Sequence, residues 1–314
     1  MSSLTKVTLP NGALANDSVA FLGAGSLFTT GKVFFVNSVI GSDGNVGTDP
    51  TAPLATVQQA INSCTANKGD KIVVMVGHAE TVTATSINLN KAGVSVICLG
   101  SGLERPTFTY SAAAATITVS AAGCAFLGGH HIANFLNVAS AFTVGAAKDF
   151  QLIDNTFVDT SSILNFLSLV VTGAVDNAAD GLTLSGNYYL GLATTANAVL
   201  SVLGNLNRLT VTENHVDKAA TNDAGQMITL SSKVCLGAKI SKNNLIVVGS
   251  AGATVGIFMT GSGTTSTGIV SFNSITSADA TAPLVATATL GFGYFENYIG
   301  NVNNSGKLLP AAMA

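Results

Sequence analysis

A short pattern recurs six times in the second half of this chain: an apolar residue, two variable residues, Asn, one variable residue, then another apolar one. The copies read LIDNTF (152–157), LSGNYY (184–189), VTENHV (211–216), ISKNNL (240–245), VSFNSI (270–275) and YFENYI (294–299). Their asparagines, Asn155, Asn187, Asn214, Asn243, Asn273 and Asn297, are separated by 32, 27, 29, 30 and 24 residues. A drifting repeat of about 28 residues constrains the chain to a solenoid.

A second apolar run keeps the same period. AFTV (141–144), SLVVT (168–172), VLSVL (199–203), MITLS (227–231), GIFMT (256–260) and LVATA (284–288) start 27 to 31 residues apart. The runs are short, rich in Val, Ile, Leu and Thr, and bounded by Gly, Ser, Asn and Asp, which specifies strands. A helical repeat of this length would need two amphipathic stretches of about 10–12 residues each, and the Gly and Thr content leaves no room for them. The expected fold is all-β: a single-stranded right-handed parallel β-helix of about nine coils, roughly 45 Å long at the interstrand spacing. The handedness follows from strand-crossover chirality.

Stacking places equivalent residues about 4.8 Å apart, one per coil. An Asn in a tight bend can take left-handed backbone angles, and its amide can bond to the Asn of the coils above and below. The six asparagines are therefore expected to form a structural ladder. An earlier copy is expected at Asn134. A row of sugar-binding amides is the alternative reading of the same residues.

Hydrophobic residues make up 47% of the 314 residues and charged residues only 9%, against about 25% charged in an ordinary domain. Such a surface has poor colloidal stability alone, so copies of the chain or a larger assembly are expected to cover part of it. No stretch of 18 apolar residues exists to span a membrane. Only two arginines occur, Arg105 and Arg208, and no basic run is present, which disfavours nucleic acid. Cys64, Cys98, Cys124 and Cys235 lack CxxC spacing and are expected as reduced, buried side chains. MSSLTKVTLPNG at the start lacks the charged and apolar regions of a secretory signal, so folding in a cytoplasm is expected.

Residues 1–31 have no clear period and are expected as an arm or attachment segment. The β-helix is expected over 32–300, with a cap at 32–68 and coils at 69–300, followed by a C-terminal tail at 301–314. Within the cap, Thr56 is placed to start a helix whose Val57, Ala60, Ile61 and Cys64 share one face. Such a helix would cover the apolar end of the first coil. The segments FFVNSVIGSDGNVGTDPTAPLATVQQAI and GDKIVVMVGHAET resemble the N-terminal cap of the pectate-lyase-like right-handed parallel β-helix superfamily. The resemblance covers about 50 residues. It implies the fold, and no activity, because lyases, hydrolases and inert scaffolds share it.

Any chemistry of such a solenoid would lie on its outer face, where stacked coils project acids. Aligning coils on the asparagines puts Asp154, Gly186, Glu213, Lys242, Phe272 and Glu296 in one column, with Asp154 and Glu213 two coils, roughly 9–10 Å, apart. That is near the upper limit for an inverting carboxylate pair. Asp159 and Asp217 offer a similar pair just beyond the bend. The Ca²⁺ cluster and Arg base of a lyase of the resembling superfamily have Asp176, Asp180 and Arg208 as their nearest analogue, with Arg208 beside Gly181 and near Asp180; a turn salt bridge explains these residues better. His130 and His131, adjacent on a strand, face opposite sides and cannot share a metal. His78 and His215 show no partner in the sequence. Segment 261–268 is Gly-rich but lacks the Lys and helix of a phosphate loop. Tyr188, Tyr189, Phe272, Tyr294, Phe295 and Tyr298 are the outward aromatic candidates, and Trp is absent. No metal and no cofactor is expected.

These features, with a resemblance to phage proteins that pair such a cap with small-residue coils, lead to one expectation. It is a non-catalytic bacteriophage virion component (capsid decoration, head fibre or tail-spike-like), a homotrimer made in host cytoplasm. Residues 1–31 would grip other virion proteins. A phage-borne polysaccharide depolymerase acting on host surface glycan through Asp154/Glu213 or Asp159/Asp217 is the alternative.

Overall fold

The computed structural model describes residues 29–192, 198–218, 226–247, 259–262, 265–277, 291–300 and 307–309. It is a parallel β-helix with one α-helix at its N-terminal end. Each full coil lays down one strand on each of three faces, and Leu206–Asn207 and Cys235–Leu236 pair as a further short sheet. The first face is a ten-stranded sheet running from Val33–Val36 to Phe292–Phe295. The second starts at Ala79–Val82 and reaches Asn297–Gly300, where the antiparallel strand Lys307–Leu309 closes it. Among the described residues the third has seven strands, from Ile87–Leu89 to Met259–Ser262. Within the body of all three faces the pairing is parallel, and on the first face it keeps register: Leu152 faces Leu184, which faces Val211, then Ile240 and Val270. On the third face the register shifts between Thr229 and Lys233.

Alternation decides what fills the centre. In Thr156–Asp159, Phe157 and Asp159 point in while Thr156 and Val158 point out. The inward set forms one continuous core of Ile, Val, Leu and Phe. Near its N-terminal half an aromatic column stacks along the axis. His131 lies between Phe108 and Phe157, with centroid separations of 5.3 and 4.7 Å and near-parallel rings.

The cap forms as its sequence dictates. Thr56 accepts a hydrogen bond from the Gln59 N–H, and the helix Val57–Ser63 buries Val57, Ala60 and Ile61. Asp43 holds the capping residue by accepting from Ala55 N, Thr56 N and Thr56 Oγ1. Glu80 reaches from the first strand of the second face to accept from Val57 N at 3.0 Å. The four cysteines are free and buried, and burial raises the thiols of Cys64 and Cys235 to about 12. No described helix is long and apolar enough to cross a membrane. The arm (1–28 of it) and most of the C-terminal tail lie outside the described residues.

The ladder is continuous through all six asparagines. Each Oδ1 from Asn187 onward accepts from both the backbone N–H and the Nδ2 of the preceding Asn, at 2.9–3.2 Å. Each Nδ2 also donates to a backbone carbonyl of the preceding coil, such as Leu152 O for Asn187. All six are buried. Two expectations are corrected here. The left-handed backbone belongs to the residue before each Asn: Asp154, Gly186, Glu213, Lys242, Phe272 and Glu296 all have φ between 46° and 66°. That bend turns the Asn inward. Asn134 is not a rung, because it follows the strand His130–Ala133 and is exposed. Gly129 stands at that level, and its N–H donates to Asn155 Oδ1.

Candidate functional site

The turn between the first and second faces carries the candidate acids. Asp154 N donates to Ser185 O, Gly186 N to Thr212 O, Glu213 N to Ser241 O, and Lys242 N to Ser271 O. These bonds place Asp154, Gly186, Glu213 and Lys242 on successive rungs, as the alignment requires. Asp154 and Glu213 are exposed. Gly186 leaves space that Asp154 uses: a Cβ there would sit 2.1 Å from Asp154 Oδ1. Asp154 therefore leans one rung toward Glu213. Glu213 in turn accepts from Lys242 Nζ at 3.3 Å, on its far side.

Asp159 and Asp217 do not share a face. Register pairs Leu190 with Asp217 and Gly191 with Lys218, so Asp217 points outward and Lys218 inward. Asp159 lies in the same inward column as Gly191 and Lys218 and is almost fully buried. Its Oδ1 accepts from Phe166 N, and its Oδ2 from Leu192 N and Tyr189 Oη, at 2.9–3.0 Å. The Tyr189 ring covers Gly191, where a Cβ would meet it at 3.0 Å. Lys218 Nζ lies 5.7 Å from the centre of that ring. Burial raises the Asp159 carboxyl above its ordinary range, and its three hydrogen bonds and Lys218 act against that shift. This cluster is a buried internal clamp between coils of the second face.

On the opposite corner Arg208 lies beside Gly181, as aligned, but its partner is Asp149. Arg208 Nη2 donates to Asp149 Oδ1 at 3.1 Å across the bare Gly181 rung, both side chains being exposed. Asp180 instead accepts from Asn207 N and Nδ2, and Asp176 from Asn205 N and Nδ2. Each of these acids ties one coil to the next. Among the described residues no group of three or more His, Cys, Asp and Glu could hold a metal ion.

His78 and His215 have partners that the sequence did not disclose, whereas His130 and His131 face opposite sides as expected. His78 is buried under the turn at 37–41: its Nδ1 accepts from Ser38 N, and its Nε2 lies 3.1 Å from Glu80 Oε2. His130 and His131 both belong to one strand, facing outward and inward. His215 stacks on Tyr188 with ring centres 5.3 Å apart, and Asn244 Nδ2 lies 3.1 Å from its Nδ1. This stacking runs along the axis, so the Tyr188 ring spends one face on its neighbour. Tyr189 and Tyr294 are core residues, whereas Phe272, Phe295 and Tyr298 are exposed.

No family model matches the chain, and no curated protein matches it. Among solved structures, the chain is similar to one described as "Rhamnogalacturonan lyase", with a TM-score of 0.47 and 13% identity over 88% of this chain and 84% of that one. Two structures of GH136 lacto-N-biosidase from Eubacterium ramulus, one native and one a selenomethionine derivative, give TM-scores of 0.20 and 0.22 at 9% identity, covering 86% of this chain and 68% of theirs. Likeness at this level carries no substrate and no residue role to this chain. The parallel β-helix stands on its own strand register.

Proposed function

We propose that this chain is a self-associating structural component of a bacteriophage virion, a capsid decoration, head fibre or tail-spike-like protein, assembled as a homotrimer. The single observation that carries the reading is the use of its polar groups. Asp149, Asp176, Asp180, Glu213 and the six ladder asparagines bind one coil to another, while several exposed outer positions are large and apolar. A chain with 9% charged residues and such a surface is suited to being covered by copies of itself. Residues 1–31 are the segment assigned to contact other virion proteins. Light scattering on the purified full chain tests the reading. A trimer is expected, and a monomer at micromolar concentration overturns it. Antibody to the chain should decorate intact particles in electron micrographs.

A second reading is favoured by one observation, the approach of Asp154 across Gly186 toward Glu213. In it the chain is a phage-borne depolymerase of host surface glycan, with these two carboxylates as acid and base. Reducing-end release from capsular polysaccharide, abolished by Asp154→Asn or Glu213→Gln, would put this reading first.

A further inference from the structure

The outer surface changes character at the last described coils. Four columns can be followed by register. On the first face, Gln151, Thr183, Thr210 and Lys239 lead to Ile269. Beside them, Ser185, Thr212, Ser241 and Ser271 lead to Phe295. In the turn column, Asp154, Gly186, Glu213 and Lys242 lead to Phe272. On the second face, Thr156, Tyr188, His215, Asn244 and Ser274 lead to Tyr298, with one earlier aromatic at Tyr188.

At the end of each column the side chain is exposed, so the coil itself gains little from an apolar residue there. Yet Ile269, Phe272, Phe295 and Tyr298 are large, apolar and 50–55% exposed. Three of them are neighbours, and Tyr298 follows on the second face across the bend at Glu296. Phe272 N donates to Phe295 O, and Ile269 pairs with Gly293. The Phe295 ring lies on that glycine, where a Cβ would be 3.0 Å from Cε2. Gly293 thus provides a floor for the ring and leaves its other face to solvent.

We infer that Ile269, Phe272, Phe295 and Tyr298 form the surface through which the C-terminal coils of one copy pack against a second copy of this chain. The inference rests on the self-association proposed above and assigns it to a place. Half-exposed, four side chains of this size present about 300–400 Å² of apolar surface. A stable interface takes about 800 Å² from each partner, with an apolar centre and a polar rim. The patch is of the size of such a centre, and Glu296 and Lys242 on neighbouring rungs are placed to form its rim. Repetition of the same patch on every copy suits a closed symmetric assembly about an axis at this end.

The preceding coil supplies the test variant. Ile269→Lys, Phe272→Lys and Phe295→Ser together install the residues that Lys239, Lys242 and Ser271 already hold one rung earlier, at positions where this backbone accepts them. Sedimentation of the full-length triple variant should show at least a tenfold weaker association, with circular dichroism and thermal midpoint unchanged. Tyr298→Ser alone should weaken it in the same direction. Leu136→Ser with Ile163→Ser, at a different exposed apolar patch, should leave association intact. A wild-type chain that is monomeric sinks self-association and the proposed function together. An oligomer that survives the triple variant, or that yields to the Leu136/Ile163 variant instead, overturns only the surface assigned here. A monomer that binds immobilised host glycan through these residues replaces the second copy by a glycan and overturns the inference as well.

Discussion

His131 Nε2 lies 3.4 Å from Asn155 Oδ1, at the rung where the asparagine ladder begins. The ring is enclosed by Phe108 and Phe157, and its Nδ1 meets Tyr110 Oη at 3.1 Å. Burial, chiefly, drives its pKa down to about 3. The unfolded chain protonates near pH 6.5, so below that pH the unfolded state binds a proton that the folded state refuses. The stabilisation from keeping His131 neutral is complete above about pH 6.5 and drains away as pH falls toward 3. His131→Phe keeps the ring stack and removes the proton site. Its urea midpoint should lie below wild type at pH 7, by about 1 kcal/mol for the lost hydrogen bond. The two proteins should converge below about pH 6.5, cross at about pH 6 and stand in the opposite order at about pH 5. A constant difference between pH 7 and 4 would contradict a neutral buried ring.

A rung in mid-ladder has more to lose. Asn214 Oδ1 accepts from Asn187 N and Nδ2, and its Nδ2 donates to Leu184 O, Thr212 O and Asn243 Oδ1. Asn214→Ala strands two buried donors of Asn187 and should cost about 3 kcal/mol or more. Asn214→Asp keeps the acceptor but points a carboxylate oxygen at Leu184 O and Asn243 Oδ1, and should cost at least as much at pH 7. Chemical denaturation at neutral pH checks both, and protection of the Asn187 amide in hydrogen exchange should fall with them.

Gly181 and Arg208 stand on adjacent rungs of one left-handed column, with φ of 76° and 57°, and should respond oppositely. Gly181→Ala puts a Cβ 2.1 Å from Asp149 Oδ1 in a backbone region that disfavours it by about 1–2 kcal/mol. It should destabilise and displace the Asp149–Arg208 pair. Arg208→Gly relieves the same backbone cost and gives up an exposed ion pair worth about 0–1 kcal/mol. It should be neutral or slightly stabilising. Thermal midpoints of the two variants, read side by side, check the sign.

Much of this was legible because a β-helix converts sequence spacing into spatial position. Coil lengths of 32 and 27 carry Asn155 to Asn187 and Asn214; the same steps carry Asp154 to Glu213 and Asp149 to Arg208, two rungs on. They carry Asp159 to Lys218, one residue past Asp217, and a slip of one residue in a strand exchanges core for solvent. The Asp159–Asp217 pairing fails on that residue, and counting would have caught it. Other features had no signal in the repeat. The strain at Phe272 and Lys242 belongs to backbone geometry that favours Gly, yet neither is Gly. His78 is buried by a loop some 40 residues earlier, a contact set by tertiary packing alone.

Asp159 is the buried acid whose pH dependence runs the other way from His131. Its carboxyl accepts from Phe166 N, Leu192 N and Tyr189 Oη, so Asp159→Ala removes the acceptor of three bonds and should cost about 3 kcal/mol. Burial nonetheless raises its pKa in the folded state, which means the folded chain holds the proton more tightly than the unfolded one. That part of its contribution is fully present below the unfolded value of about 3.9 and is lost as pH rises through the raised folded value. The gap in urea midpoint between wild type and Asp159→Ala should therefore be wider at pH 4 than at pH 7. A gap that widens toward neutral pH would mean that Lys218 and the three hydrogen bonds outweigh burial. The clamp would then be an ion pair that strengthens with ionisation.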